Sequence, residues 1–287
     1  MNEERKNKIT IIICAFIWGT IGIFRKYIDI PSSTLAMCRG FIGAAFLWCY
    51  MRRKGTKVNF DKNLKSILLL ILTGGLIGSN WITLFEAYNY TSVATATLCY
   101  YMAPIFLIIA SAIIFKEKLS VKKILCVLAA FAGMALVSGF FTNGIGGGNE
   151  YKGILLALLS AVSYAVAVIM NKYITGIDPY SKTFFQLLAA AIVVLPYVVL
   201  SGDWAATTFD VRSTLLLVLV GIVHTGIAYS MYFGALEKVK MQTVALYSYI
   251  DPVTACILSR VVLGEKMGVG GAIGAVLIIG AAVVSEL

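Results

Sequence analysis

Laid over itself with an offset of 148 positions, the chain matches without a gap from Leu68–Lys118 to Leu216–Lys266, and 13 of the 51 pairs are identical. The matches include Tyr101 with Tyr249, Pro104 with Pro252, Glu117 with Glu265 and Lys118 with Lys266. The chain is therefore a duplication, and whatever fold it takes must be built twice. In the second copy a nearly unbroken apolar run extends from Met241 to Leu263. It is long enough to cross a hydrocarbon core of about 30 Å at about 1.5 Å per residue. Asp251 and Pro252 sit at its middle, and an ionisable group at that depth marks a functional site by default.

Of the 287 residues 60% are hydrophobic and 13% charged, whereas charge makes up about a quarter of a soluble domain. The chain reads as a polytopic membrane protein. Its net charge of +10 lies in short clusters between apolar runs, the pattern of cytoplasmic loops rather than of a nucleic-acid partner. The six cysteines (Cys14, Cys38, Cys49, Cys99, Cys126, Cys256) all fall inside apolar runs, with no C-x-x-C pair and no histidine at a zinc spacing. They read as small buried hydrophobes, and neither a metal nor a cofactor is expected. At the N-terminus, Arg25-Lys26 stands where a signal peptide would carry small residues, so the first apolar run reads as a transmembrane helix.

Ten apolar segments are long enough to span: 9–28, 33–51, 65–87, 92–115, 122–141, 153–173, 181–200, 213–235, 241–263 and 268–285. The expected fold is an all-α integral membrane protein whose ten helices form two five-helix repeats, residues 1–143 and 151–287, joined by a Gly-rich link at 144–150. That link lacks the Gly-Lys-Ser/Thr ending of a phosphate loop. Five is odd, so a second copy of the same fold enters the membrane from the opposite side. The charges agree. Six Lys and Arg (Arg52, Arg53, Lys54, Lys57, Lys62, Lys65) follow the second segment, but only Arg212 follows the seventh, beside Asp203 and Asp210. Four (Lys116, Lys118, Lys122, Lys123) follow the fourth segment and Lys266 alone follows the ninth, whereas Lys238 and Lys240 follow the eighth and none follows the third. By the positive-inside rule both termini are cytoplasmic and the repeats are inverted.

The sequence Ala103-Pro104, a short apolar run, then Lys116-Glu117-Lys118-Leu119-Ser120 is repeated as Asp251-Pro252 leading to Gly264-Glu265-Lys266, each time ahead of a glycine-containing last segment. This resembles the paired repeats of the drug/metabolite transporter superfamily, EamA type, over almost the whole chain. The resemblance implies ten helices, a central cavity between the halves, and movement of small metabolites in the cell membrane. It names no single substrate. Lys116, where the second repeat has Gly264, departs from the pattern.

Counting inward from the segment ends puts Trp18, Tyr100, Tyr101, Tyr164, His224, Tyr249 and Asp251 within about 5 Å of the midplane, with Asn80 near it and Arg39 slightly outward. A charge facing lipid there costs about 2.5–3.5 kcal/mol, so these groups face inward and line a polar, aromatic cavity. Trp18, Arg39, Asn80, Tyr100, Tyr101, Tyr164 and Tyr249 are the candidate substrate-binding residues. Arg39 offers a planar fork to a carboxylate or phosphate, against the alternative of a structural ion pair with Asp251 or Glu86. Asp251 and His224 are candidates for proton coupling, and Pro104 and Pro252, read as mid-helix prolines, for hinges. Gly74 with Gly78 and Gly270 with Gly274 read as close helix contacts, and Glu117 and Glu265 as interfacial caps or pairs.

The expected function is secondary transport of a small polar or amphipathic organic solute by alternating access, with protons as a candidate coupling ion. The alternatives are an uncoupled facilitator or a multidrug exporter. A membrane-embedded enzyme would need a nucleophile and base or a metal set, which a single histidine without clustered acids does not supply. A sensor would need a soluble domain, and the longest loop is too short for one. The oligomeric state is left open.

Overall fold

The computed structural model describes residues 3–55, 64–91, 93–116, 118, 120–137, 150–263 and 269–286. Most of the 144–150 link, the 56–63 loop with Lys57 and Lys62, and Glu117, Glu265 and Lys266 lie outside them. The described residues form helices and turns with no strand. In chain order the helices are α1 (Glu3–Lys26), α2 (Ser32–Arg53), α3 (Leu64–Ala87), α4 (Val93–Tyr100), α5 (Ala103–Ile114) and α6 (Val121–Val137). They continue as α7 (Glu150–Tyr173), α8 (Pro179–Leu200), α9 (Val211–Leu219), a π-helical segment Val220–Ile227, α10 (Ala228–Leu236), α11 (Met241–Tyr247), α12 (Ile250–Leu263) and α13 (Val269–Glu286).

Local chemistry sets the visible starts. The Asp178 carboxylate accepts from the backbone N–H of Tyr180 and Ser181 at 3.1 and 3.0 Å, with Pro179 at the first position of α8, where no amide partner is needed. Asp210 caps α9 the same way, accepting from Ser213 N at 3.0 Å.

Among the described residues six continuous helical stretches are long and apolar enough to cross a membrane: Glu3–Lys26, Ser32–Arg53, Lys65–Ala87, Glu150–Tyr173, Pro179–Leu200 and Val211–Leu236. The outward surface suits lipid. Ile113 and Val261 are each 73% exposed, and large aromatics such as Trp48, Tyr151, Tyr173 and Trp204 are exposed near helix ends, where amphipathic rings meet the headgroups.

Two of the ten expected segments are not continuous. The fourth is broken at Tyr101-Met102 between α4 and α5, and the ninth at Ser248-Tyr249 between α11 and α12. Pro104 and Pro252 therefore lie in the first turns of α5 and α12 rather than in mid-helix. There a missing N–H removes no intrahelical bond, so each proline starts a helix instead of kinking one.

α3 packs along α7 and α8, while the π segment packs on α1 and α2 and α10 on α1; α2 also lies on α8, α6 on α13, α1 on α12, α4 and α5 on α7, and α5 on α11. Glycines permit the closest crossings. A Cβ on Gly74 would stand 2.6 Å from the Gln186 carbonyl oxygen, and one on Gly78 2.7 Å from that of Ala190. In the second half, Gly221 and Gly226 lie as close to α2, against Ile42 and Phe46. The first pair is four residues apart and the second five. An i→i+4 turn returns residues four apart to one face, and the wider i→i+5 turn does so for residues five apart. The π segment thus absorbs one extra residue, and the offset between the halves changes from 147 at Gly74/Gly221 to 148 at Gly78/Gly226.

Candidate functional site: a one-ended cavity between the halves

The two helix breaks face one another. The Tyr249 hydroxyl donates to the Tyr101 carbonyl at 3.1 Å, and the two rings stack at 6.3 Å. Beside them lies a cavity of about 380 Å³. It runs from Arg25, Ser32 and Tyr88, at one end of the bundle, inward to Ile11 and Tyr232. None of its lining residues comes from the other end. That end is closed by contacts between helices: Lys182 Nζ meets Glu237 Oε1 at 2.5 Å, Lys172 Nζ donates to the Val239 carbonyl at 3.1 Å, and Gln242 reaches the Lys118 carbonyl at 3.3 Å.

The two halves contribute equivalent positions to the lining. Trp81 and Tyr229, Leu84 and Tyr232, Tyr100 and Ser248, and Ala103 and Asp251 are related by the 148 offset, and all of them line the cavity. Trp81, Tyr229 and Tyr232 escaped the reading by depth, although an aromatic residue at both equivalent repeat positions was a signal for Trp81 and Tyr229. Trp18 packs edge-on against Tyr232 at 5.0 Å and tilted against Tyr229 at 5.1 Å. The Tyr164 and Tyr232 hydroxyls bond at 3.1 Å, so the inner wall is a rigid aromatic box.

Of the expected substrate-binding residues, Trp18, Arg39, Asn80, Tyr100, Tyr101 and Tyr164 line the cavity, as do Asp251 and Pro104. Tyr249 does not; it is fully buried behind Tyr101 and supports the wall. Asn80 is mainly a bolt between α3 and α7. Its amide donates to the Ser160 carbonyl at 2.9 Å and hydroxyl at 2.7 Å, and Ser160 donates back to the Asn80 carbonyl at 3.0 Å.

His224 and Asp251 do not meet. Buried in the π segment, His224 Nε2 bonds the Thr20 hydroxyl at 2.8 Å, and its carbonyl accepts from the Trp18 indole at 2.9 Å. It lies outside the cavity lining. Asp251, in the first turn of α12, interacts with Tyr101. Pro252 is buried but not part of the lining.

Arg39 makes neither expected ion pair. Among the described residues no carboxylate comes within 4.0 Å of it. Glu86 is taken up by the Tyr197 hydroxyl at 2.6 Å, with Tyr90 and Asn89 each at 3.2 Å. Instead the guanidinium lies 4.3 Å from the centre of the Trp81 ring, with Tyr100 and Tyr229 near enough to act on its charge, and its Nε is buried without a partner. Arg25, the other cation lining the cavity, donates to the Ile28 carbonyl at 2.5 Å and the Ser32 hydroxyl at 3.2 Å.

A lipid-facing helical bundle with an internal aromatic cavity, in which Arg39 has no ion pair or hydrogen bond among the described residues, is the form of a membrane protein that receives a small molecule. The sequence model of the EamA-like transporter family matches residues 6–139 and again residues 151–286, and the chain belongs to that family. A Bacillus subtilis protein named uncharacterized transporter YxxF is 27% identical over 279 residues, covering 94% of this chain and 86% of its own length. An uncharacterized transporter of Clostridium kluyveri is 26% identical, covering 96% and 91%. A crystal structure 22% identical to the chain superposes with a TM-score of 0.86 over 98% of this chain and 96% of that one, a likeness of fold. Family and relatives point to a multi-pass membrane transporter of a small solute rather than to an enzyme.

Proposed function

We propose that the protein is a secondary transporter that moves a small polar or amphipathic organic solute across the cell membrane by alternating access between inverted repeats, residues 1–143 and 151–287 about the 144–150 link. The observation that carries the reading is the cavity that opens at one end only and is lined by equivalent positions of both halves. The contact pattern supports a two-fold arrangement of the repeats, because exchanging the halves maps it onto itself; their inversion rests on the odd helix number and the charges. The pairing of α3 with α7 becomes that of α10 with α1, α3 with α8 becomes the π segment with α2, and α1 with α12 becomes α7 with α4 and α5. With both termini cytoplasmic, as the basic loops require, the open end faces outward and Lys182–Glu237 lies at the inner side.

In an inverted repeat the opposite state arises when each half adopts the other's conformation, which opens the inner end and closes the outer one. The breaks before Pro104 and Pro252 are the places where half-helices reorient. Asp251, in the cavity wall, is the residue through which protons couple; His224, bonded to Thr20 away from the cavity, holds the π segment instead.

The test is solute flux in liposomes under an imposed pH gradient, using a solute found by its thermal stabilisation of the purified chain. Wild type responds to the gradient, whereas folded Asp251→Asn still exchanges solute without that response. A gradient response unchanged in Asp251→Asn removes Asp251 from the mechanism, and a wild type indifferent to the gradient leaves an uncoupled facilitator. Labelling from outside of a cysteine at position 57 in a cysteine-free background would overturn the orientation.

A further inference from the structure

We infer that the solute is a monoanion carrying a carboxylate on an apolar or aromatic body, and that Trp81 is the residue that positions Arg39 to receive it. This rests on the transport reading for its biological meaning, but the binding chemistry stands on the cavity itself.

A buried cation is ordinarily neutralised by a carboxylate, because an uncompensated charge is expensive to hold away from water. Arg39 is held differently. Its guanidinium lies 4.3 Å from the Trp81 ring centre, it makes no hydrogen bond or ion pair among the described residues, and its Nε has no partner. A ring face holds a guanidinium through its quadrupole without cancelling the positive charge and without occupying the in-plane N–H groups. The fork is fixed but unspent. Trp81 is itself fixed, being 4% exposed and edge-on to Tyr229 at 6.5 Å. Tyr229 in turn packs on Trp18 at 5.1 Å.

Charge count selects a monoanion. Arg25 gives one N–H each to the Ile28 carbonyl and the Ser32 hydroxyl and has the Asp29 carboxylate acting on its charge, and Asp251 is the one acid among the described lining residues. A dianion such as a phosphate monoester would meet one available cation and a neighbouring carboxyl, whereas a carboxylate matches the Arg39 fork in charge and in geometry. The remaining wall, with Trp18, Phe85, Tyr100, Tyr164 and Tyr232, is aromatic and takes the body of the solute.

The experiment measures binding to the purified full chain by thermal stabilisation, using 3-phenylpropionate, its neutral amide and 2-phenylethylphosphonate as probes, at a pH above the second ionisation of the phosphonate so that it is a dianion. Wild type binds the carboxylate about tenfold or more tightly than the amide, the scale of a charge-assisted hydrogen bond, and tighter than the phosphonate. Arg39→Met loses that preference while still binding the amide. Trp81→Leu lowers binding of the carboxylate about tenfold more than binding of the amide, and Trp81→Phe, which restores a ring face, recovers most of that difference. A residue that only packs the core would lower binding of carboxylate and amide together, so the ratio separates positioning from folding. Equal binding of carboxylate and amide by wild type, a preference retained in Arg39→Met, stronger binding of the phosphonate, or no binding of any probe overturns the inference. Liposome flux of the carboxylate separates the two readings: a carboxylate bound through Arg39 but never moved sinks transport and leaves the binding chemistry standing.

Discussion

The contact most exposed to a quantitative check is the one that closes the far end of the cavity. Lys182 Nζ and Glu237 Oε1 are 2.5 Å apart, with the lysine side chain 0% exposed and the glutamate 28%. Among the described residues the only other acceptor for the ammonium is the Asn171 carbonyl at 3.4 Å. Removing one partner of a buried pair costs about 3–5 kcal/mol because it strands the other charge, whereas removing both is near neutral. The two single changes are not equivalent here. Glu237→Gln leaves a charge with no exposure, so the full cost, about 3 kcal/mol or more, is expected. Lys182→Met leaves a carboxylate that already touches solvent, so its cost falls below about 3 kcal/mol. The double variant recovers most of the loss. In a double-mutant cycle of unfolding free energies in detergent, the coupling is expected above about 2 kcal/mol, against about 0–1 for an exposed pair. Equal costs for the two single variants, or a coupling in the exposed range, refutes the assignment of this pair as a desolvated lock.

Other sites give sharper contrasts. Gly74→Ala should destabilise by about 1–3 kcal/mol, because its Cβ would press on the Gln186 backbone at 2.6 Å, while Gly75→Ala, 3.9 Å from Val193, should fold and melt like wild type. Thermal melts of the two purified variants decide it. Asn80→Leu removes the amide that donates to the Ser160 carbonyl and hydroxyl, while the hydroxyl keeps the backbone carbonyl of residue 80; stability should fall by about 1–3 kcal/mol, and solute affinity in the folded fraction should change little. At the loop before α9, hydrogen bonds from Ser213 hold the Asp210 carboxyl below its ordinary value of 3.8. Its folded-state value is therefore depressed, so the cap's contribution is complete above 3.8 and is lost as pH falls through the lowered value; Asp210→Ala should melt lower than wild type at neutral pH and converge with it in strong acid.

The membrane-spanning character, with six long apolar helices among the described residues, and the duplication were legible because hydrophobic length and residue identity survive without coordinates. The helix breaks were not, since α4–α5 and α11–α12 stay apolar across the gap and a proline in a first turn looks the same in sequence as one in mid-helix. Of the residues chosen by counting depth, Arg39, Trp18, Asn80, Tyr100, Tyr101, Tyr164 and Asp251 line one cavity, whereas Tyr249 and His224 do not. Counting carried no information on azimuth, and in helices apolar nearly all round no pattern distinguishes the faces. That Arg39 would rest on Trp81 instead of Asp251 or Glu86 depends on packing between α2 and α3, which no local pattern encodes.

The additional residue in the π segment also bears on energetics. On the inverted-repeat reading, two identical halves would give inward- and outward-open states of the same energy, each the image of the other with the halves exchanged. The segment at Val220–Ile227 has no counterpart in the continuous α-helix of α3, so that exchange symmetry is broken in covalent structure and not only in side chains. An energy difference of about 1.4 kcal/mol between the two states would leave one of them populated tenfold over the other before any solute binds. On that reading, the inserted residue is a covalent source of asymmetry by which one state could become the resting one.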